Sequence, residues 1–193
     1  MSIRLITGTQ AELDAAIKDT VDDIATAERE RLARAARSRL LFLDFDGVIN
    51  HGEFFHEQHL RGKDAFADGE SFDRACVVRL NRLLKATGAL VVVSSSWRIG
   101  RTLEELREIL EHHAFEGEVI GKTPHDYHKC RERGDEIREW LAALPKENER
   151  FVVLDDDSDM EAVHGHFVQT KFHKGGLTEE KAAEVVRMFE KLG

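Results

Sequence analysis

Acidic side chains directly follow two apolar segments of this sequence, and hydroxyl side chains directly follow a third. In chain order these polar residues are Asp44, Asp46, Ser94, Ser95, Asp155 and Asp156. If the fold brings them together, the four carboxylates repel one another and raise each other's pKa unless a cation neutralises them. Mg²⁺, a hard divalent cation with oxygen ligands, suits such a group best. The sequence therefore predicts a magnesium site whose ligands are drawn from Asp44, Asp46, Asp155 and Asp156.

The segment that contains the serines also carries an arginine, Arg98. Hydroxyl groups and a guanidinium bind anions, and an anion that faces them would also bridge to the metal. Carboxylates, a divalent cation, hydroxyls and an arginine together describe a site for phosphoryl transfer. We therefore expect Ser94, Ser95 and Arg98 to contact a phosphate group.

An alternation of buried strands and helices must position these residues. Apolar runs typical of strands occupy residues 40–43, 90–93, 119–120, 151–154 and 167–168. Helical periodicity occupies residues 10–37, 71–85, 103–113, 131–143 and the residues from 178 onward. This alternation predicts an α/β fold with a doubly wound, Rossmann-like, mostly parallel sheet of five strands. Ligands of such sheets bind at the carboxyl ends of the strands, which is where the acidic residues and serines occur.

Residues 41–48 read Leu-Phe-Leu-Asp-Phe-Asp-Gly-Val, an apolar strand followed by the motif DxDGV. With a strand plus serine and then a strand plus two aspartates after it, this order resembles the haloacid dehalogenase (HAD) superfamily of aspartyl phosphotransferases. The resemblance runs from about residue 38 to residue 192. It implies that Asp44 is the nucleophile that forms a phosphoaspartyl intermediate. It also implies that Asp46 is the general acid and base, and that Gly47 permits the tight turn between strand and site.

The resemblance assigns further roles at the other two strand ends. Ser94 matches the serine of the second motif, and Ser95 would offer its backbone N–H to the phosphate. Asp156 would be a direct metal ligand, with Asp155 close by. Asp159 either serves an alternative acidic spacing of this motif or caps the short turn that precedes it.

The sequence departs from the family in the third motif, which usually has a lysine on the helix before the last acidic pair. Arg133 is our choice for this position. It would replace the compact ammonium group of a lysine by the planar guanidinium group of an arginine. Its rivals are Lys122, Lys129 and Arg131. The residues alone do not decide between these four.

The details of the motifs narrow the resemblance to the HAD domain of multifunctional Swiss-Army-Knife RNA-repair proteins, related to the 3′-phosphatase half of polynucleotide kinase-phosphatases. The segment Val-Ser-Ser-Ser-Trp-Arg at residues 93–98 carries this likeness. It implies that phosphate is removed from a nucleic-acid or nucleotide end. Arg98 would clamp a phosphate and Trp97 would stack on a base. In the alternative, Trp97 lies in the core and Arg98 forms a surface ion pair.

The connections between the motifs are too short for the cap domain that covers the site of many HAD enzymes. We therefore expect a capless domain with an open site, suited to a bulky substrate such as an RNA or DNA 3′-phosphate end. Two alternatives remain: a phosphoprotein or nucleotide phosphatase of the same mechanism, and a non-catalytic module that binds a partner through its N-terminal helix. The formal net charge of −9 argues against a strongly basic nucleic-acid-binding domain.

The length of 193 residues suits a helical extension over residues 1–37 and one HAD-like domain over residues 38–193. Two cysteines are too few for a disulfide framework and fit a reducing compartment. The apolar runs are far shorter than the roughly 18 residues of a membrane span. We therefore expect a cytoplasmic protein that does not associate with a membrane.

Overall fold

The structure, a computed structural model, describes residues 9–66, 69–126 and 132–193. The strands are β1 (Leu40–Leu43), β2 (Leu90–Val93), β3 (Val119–Lys122), β4 (Phe151–Asp155) and β5 (Phe167–Gln169). The helices are α1 (Gln10–Ala35), α2 (Gly52–Leu60), α3 (Arg74–Thr87), α4 (Leu103–His112), α5 (Arg133–Ala142) and α6 (Glu179–Leu192). Short 3₁₀ helices occupy Ser96–Arg98 and Glu161–His166. No helix in the described ranges is both long and apolar enough to cross a membrane.

The five strands form one sheet in the order β3-β2-β1-β4-β5, and every neighbouring pair is parallel. Leu43 at the end of β1 pairs with Val93 of β2 on one side and with Leu154 of β4 on the other. The carboxyl ends of these three strands therefore lie side by side. The predicted doubly wound α/β fold with five strands is confirmed.

Helices cover both faces of the sheet, because the side chains of each strand alternate between two cores. Leu41 and Leu43 of β1 face the core that contains residues of α3, α4 and α6. Leu40 and Phe42 face the opposite core, which contains residues of α5 and the end of α1. Burial on both faces explains why these strands read as continuous apolar runs rather than as alternating patterns.

Helix α1 begins with a capping box, in which Thr9 and Glu12 exchange hydrogen bonds. Its last turns contact the domain: the Arg31 guanidinium donates to the Ile120 carbonyl, and Arg34 pairs with Glu118 beside the edge strand β3. The preceding turns expose four large apolar side chains to solvent, those of Leu13, Ile17, Val21 and Ile24. Helix α1 ends at Ala35, two residues before the end of the helix predicted over residues 10–37.

The two connections that hold caps in the HAD superfamily, which the sequence resembles, contain only helices among the described residues. Between β1 and β2 the described residues form helices α2 and α3, and between β2 and β3 they form one 3₁₀ helix and α4. No inserted domain is present among them. In the described part of the chain, no cap therefore covers the edge of the sheet where the acidic residues lie.

A buried arginine, Arg98, joins the ends of β2 and β3 to helix α5. Its side chain is only 3% exposed. Its guanidinium makes five hydrogen bonds, which equals the number of N–H donors that an arginine has. The acceptors are the backbone carbonyls of Ser94, Ser95, Thr123 and Pro124 and the carboxylate of Glu136.

We expect the substitution Arg98→Lys to lower the free energy of unfolding by about 3 kcal/mol, because a lysine leaves buried carbonyls without donors and removes the guanidinium from Glu136, which among the described residues keeps only its contact with His125. Urea unfolding followed by circular dichroism measures the change. Arg107→Lys is the matched control, since Arg107 is partly exposed and donates to the Val119 carbonyl and Glu104. The control should cost no more than about 1 kcal/mol. Equal effects of the two substitutions would show that Arg98 does not hold these elements together.

Candidate functional site

Three carboxylates meet at the carboxyl edge of the sheet. Asp44 follows β1, Asp155 is the last residue of β4, and Asp156 comes next. One carboxylate oxygen of each lies within 4.8 Å of those of the other two. Asp44 is 4% exposed and Asp155 is 0% exposed, whereas Asp156 is partly exposed. The parallel pairing of β1 and β4 thus places acidic residues from distant parts of the sequence beside one another.

The turn after β1 can approach Asp156 only because it contains a glycine. Gly47 has a φ of +70°, a conformation that other residues rarely adopt. A Cβ atom added at Gly47 would lie 2.2 Å from the Cγ of Asp156. Any side chain there would therefore displace the Asp156 carboxylate from the group.

Burial raises the pKa of Asp44 and of Asp155, because a carboxylate loses its hydration in this position. The charge of Asp44 raises the pKa of Asp155 further, and the Arg133 guanidinium opposes the shift at both residues. Burial and the charge of Asp157 raise the pKa of Asp156. One arginine therefore only partly compensates for the crowding of three carboxylates.

Arg133 is the first residue of α5, and its side chain extends between two of the acidic residues. Its Nη1 lies 3.2 Å from Asp44 Oδ1 and 2.5 Å from the Ser94 carbonyl oxygen. Its Nε lies 3.5 Å from Asp155 Oδ2. Arg133 thus brings a positive charge into contact with Asp44 and Asp155.

The rivals of Arg133 have other positions. The Lys122 ammonium donates to the carbonyl oxygens of Arg98, at 3.3 Å, and of Arg101. Lys129 and Arg131 lie outside the described residues. Among the described cations, Arg133 is therefore the one that contacts the acidic group.

Asp159 anchors the start of helix α5 rather than joining the three carboxylates. Its Oδ2 accepts the Arg133 backbone N–H at 2.9 Å, and its carbonyl oxygen accepts the Gly134 N–H at 3.0 Å. A Cβ atom at Gly134 would lie 3.2 Å from the Met160 Cα, so glycine permits this close approach. Of the two expected roles, Asp159 therefore has the capping role. It caps the start of helix α5, however, and not the short turn after Asp157.

The two serines at the end of β2 have different surroundings. Hydrogen bonding by the Ser95 side chain lowers the pKa of Asp44 and so opposes the effect of burial, and the Ser95 hydroxyl accepts the Trp97 N–H at 3.4 Å. The Ser94 hydroxyl is fully buried and has no hydrogen-bond partner among the described residues. The expected contacts of Ser94 and Ser95 with a phosphate stay predictions.

The expected phosphate contact of Arg98 disagrees with the structure, because all five of its N–H donors bind protein acceptors. The alternative of a surface ion pair is also wrong, since its pair with Glu136 is buried. Arg98 influences the site through the backbone of Ser94 and Ser95, whose carbonyl oxygens it holds. Its sequence position next to the serines did not reveal this role.

The Asp46 carboxylate is held by two donors and is not part of the group that Asp44, Asp155 and Asp156 form. Its Oδ1 accepts from Asn50 Nδ2 at 2.8 Å, and its Oδ2 accepts from Trp97 Nε1 at 3.0 Å. The structure thus does not bring the Asp46 side chain to the predicted metal position. Sequence reasoning missed Asn50, whose only signal is its place four residues after Asp46 in the same turn.

The residues of the acidic group fit a divalent cation. Three carboxylates provide the hard oxygen ligands that Mg²⁺ prefers. Asp155 Oδ2 is buried and makes no hydrogen bond in the described part of the chain, and it has only the longer ion-pair contact of 3.5 Å with the Arg133 Nε. Such an oxygen is costly to bury unless another group binds it. Asp44, Asp155 and Asp156 are therefore the residues that would hold the metal.

A second group, His51, Asp73 and Cys76, lies between the starts of α2 and α3. His51 Nδ1 accepts the Phe54 N–H at 3.2 Å, so the ring proton resides on Nε2. That nitrogen donates to Asp73 Oδ2 at 2.9 Å. Both ring nitrogens are engaged, and the group caps two helices instead of offering an open nitrogen to a metal.

Comparison with curated proteins finds no match. Among solved structures, the chain is similar to the Protein Tyrosine Kinase A (PtkA) of Mycobacterium tuberculosis, with 16% sequence identity and a TM-score of 0.42. That similarity covers 77% of this chain and 98% of the other. A family model described as "HAD domain in Swiss Army Knife RNA repair proteins" matches residues 40–182, which include all five strands. The chain therefore belongs to the HAD domain family of Swiss Army Knife RNA repair proteins.

Proposed function

We propose that this chain is a Mg²⁺-dependent phosphomonoester hydrolase that works through an aspartyl-phosphate on Asp44. The observation that carries the proposal is the group of Asp44, Asp155 and Asp156, whose oxygens lie within 4.8 Å of one another. The Arg133 guanidinium, 3.2 Å from Asp44, adds a cation beside the nucleophile. HAD domains are generally phosphatases or other hydrolases, which supports the same reaction class.

Bound Mg²⁺ would neutralise the carboxylates and attract the charged phosphate of the substrate. An oxygen of Asp44 attacks phosphorus, the bond between phosphorus and the leaving oxygen breaks, and Asp46 donates a proton to that oxygen. Water then attacks the aspartyl-phosphate while Asp46 accepts a proton from it. The bond between phosphorus and Asp44 breaks, and inorganic phosphate leaves. Arg133 remains beside Asp44 and faces the phosphate oxygens.

We propose a nucleic-acid 3′-phosphate end as the substrate. The family is described by its occurrence in RNA repair proteins, which supports this class. The absence of an inserted domain in the described parts of the two connections supports a bulky substrate. The net charge of −9 means that any attraction of a polyanion depends on local cations such as Arg133 and on Mg²⁺.

Substitution of the nucleophile is expected to abolish catalysis. Asp44→Asn should lower kcat on 4-nitrophenyl phosphate with Mg²⁺ at least about 1,000-fold, because an amide does not form the phosphoaspartyl bond. Asp135→Asn makes the same chemical change at an exposed position of α5 and should keep activity within about 3-fold. Activity of Asp44→Asn equal to that of the control would contradict the mechanism.

Mg²⁺ is expected to stabilise the protein more at high pH than at low pH. The folded-state pKa of Asp44 and of Asp155 is raised, so the folded state binds more protons than the unfolded state above the ordinary value of about 3.9. In EDTA these residues therefore contribute less stability at pH 8 than at pH 5, where protonation persists. Because protons compete with the metal, saturating Mg²⁺ should raise Tm by about 5 °C at pH 8 and by less than about 1 °C at pH 5.

Differential scanning fluorimetry measures this effect, and Asp156→Asn is the matched variant because it removes one proposed ligand. The increase at pH 8 should fall by at least half in that variant. An increase that is the same at both pH values, or that persists fully in Asp156→Asn, would place the metal elsewhere.

The substrate class can be tested by comparing kcat/KM for three phosphate esters. We expect an oligonucleotide with a 3′-phosphate to exceed a phosphoserine peptide and a nucleoside 3′-monophosphate by at least about 10-fold, because only the oligonucleotide extends over the open edge of the sheet. Preference for the peptide would assign a phosphoprotein substrate instead. Preference for the mononucleotide would show that the open edge is not used.

A further inference from the structure

Two donors hold the carboxylate of Asp46. The indole Nε1 of Trp97 lies 3.0 Å from Oδ2, and the Asn50 amide nitrogen lies 2.8 Å from Oδ1. The Asn50 oxygen also accepts the Gly47 N–H at 3.2 Å, so Asn50 belongs to the same turn as Asp46. Trp97, by contrast, comes from the segment after β2. It therefore supplies the contact that ties Asp46 to a second strand end.

Several contacts fix the Trp97 indole itself. Its ring packs against Phe45 and Phe72, with centroid distances of 5.8 and 5.2 Å. The Arg101 guanidinium lies 5.7 Å from the ring centroid, and its Nη1 donates to the Trp97 carbonyl at 2.8 Å. Arg98, the next residue, is held by its five buried hydrogen bonds. Because these contacts confine the indole ring, its N–H stays directed at the Asp46 carboxylate.

We propose that Trp97 is a positioning residue, whose indole N–H orients the Asp46 carboxyl toward the leaving-group oxygen. This inference rests on the proposed phosphatase function and extends it. In the first step the proton moves from Asp46 to the leaving oxygen as the bond from that oxygen to phosphorus breaks. Trp97 keeps its own proton throughout and fixes only the plane of the carboxyl group.

An orienting role has a consequence that a packing role does not have. A phenolate with strong electron withdrawal leaves without a proton, whereas an alkoxide requires a proton from the general acid. Loss of the Trp97 N–H should therefore slow the hydrolysis of alkyl phosphates much more than that of activated aryl phosphates. A general loosening of the site would slow both substrates by the same factor.

The test compares Trp97→Phe with the wild-type chain on 4-nitrophenyl phosphate and on benzyl phosphate, both with Mg²⁺. Phenylalanine keeps a ring against Phe45 and Phe72 but removes the N–H donor. We expect kcat/KM to fall by less than about 3-fold on the aryl ester and by at least about 10-fold on the benzyl ester. Asp46→Asn should show the same selectivity with larger losses.

Trp140→Phe is the matched control, because it removes the only other indole in the chain. Trp140 packs against Phe42 in the core on the α5 side of the sheet. This control should give the same ratio of the two rates as the wild type. If Trp97→Phe does not fold, benzothienylalanine at position 97 in the Trp140→Phe background replaces the N–H by sulfur with little change in shape, and the same selective loss is expected.

Equal losses on both esters, or no loss on the benzyl ester, would overturn the role of Trp97 and leave the proposed phosphatase function intact. A wild-type chain that hydrolyses neither ester in the presence of Mg²⁺ would overturn the proposed function, and the role of Trp97 with it.

Discussion

Asp44 and Asp155 lie at the ends of adjacent strands with almost no access to water, and Asp156 lies beside them. Each carboxylate loses hydration and repels its neighbours, so the group is stable only with bound protons or with added positive charge. Arg133 supplies one such charge, and Asp159 holds the helix end that carries it. A divalent cation is the natural complement of the remaining charge. The same crowding that makes the group costly to fold is what would bring a metal and a phosphate to Asp44.

The positions of the acidic residues could be predicted from the sequence because they depend on local pattern and on topology. Asp44 and Asp155 each end an apolar run, and parallel strands place all such ends at one edge. Arg133 could be named as one of four candidates because it stands near the start of a periodic helical segment, but the sequence did not decide between the four. These features require only that the strands pair in parallel, which the alternation of strands and helices implies.

Side-chain partners that depend on approach in three dimensions could not be predicted in the same way. Arg98 is adjacent to the serines, but its partners Thr123 and Glu136 come from distant parts of the sequence and meet it only when β3 and α5 pack. The contact of Trp97 with Asp46 likewise depends on the approach of two strand ends.

A crystal structure grown with Mg²⁺ and beryllofluoride, which mimics a phosphoryl group on aspartate, would show whether the acidic group binds a metal and a phosphate beside Asp44. We expect beryllium bonded to a carboxylate oxygen of Asp44, with one magnesium ion that contacts Asp44 and Asp156 and with the Arg133 guanidinium against the fluorides. Beryllofluoride on another residue, or a metal ion that contacts neither Asp44 nor Asp156, would contradict this expectation.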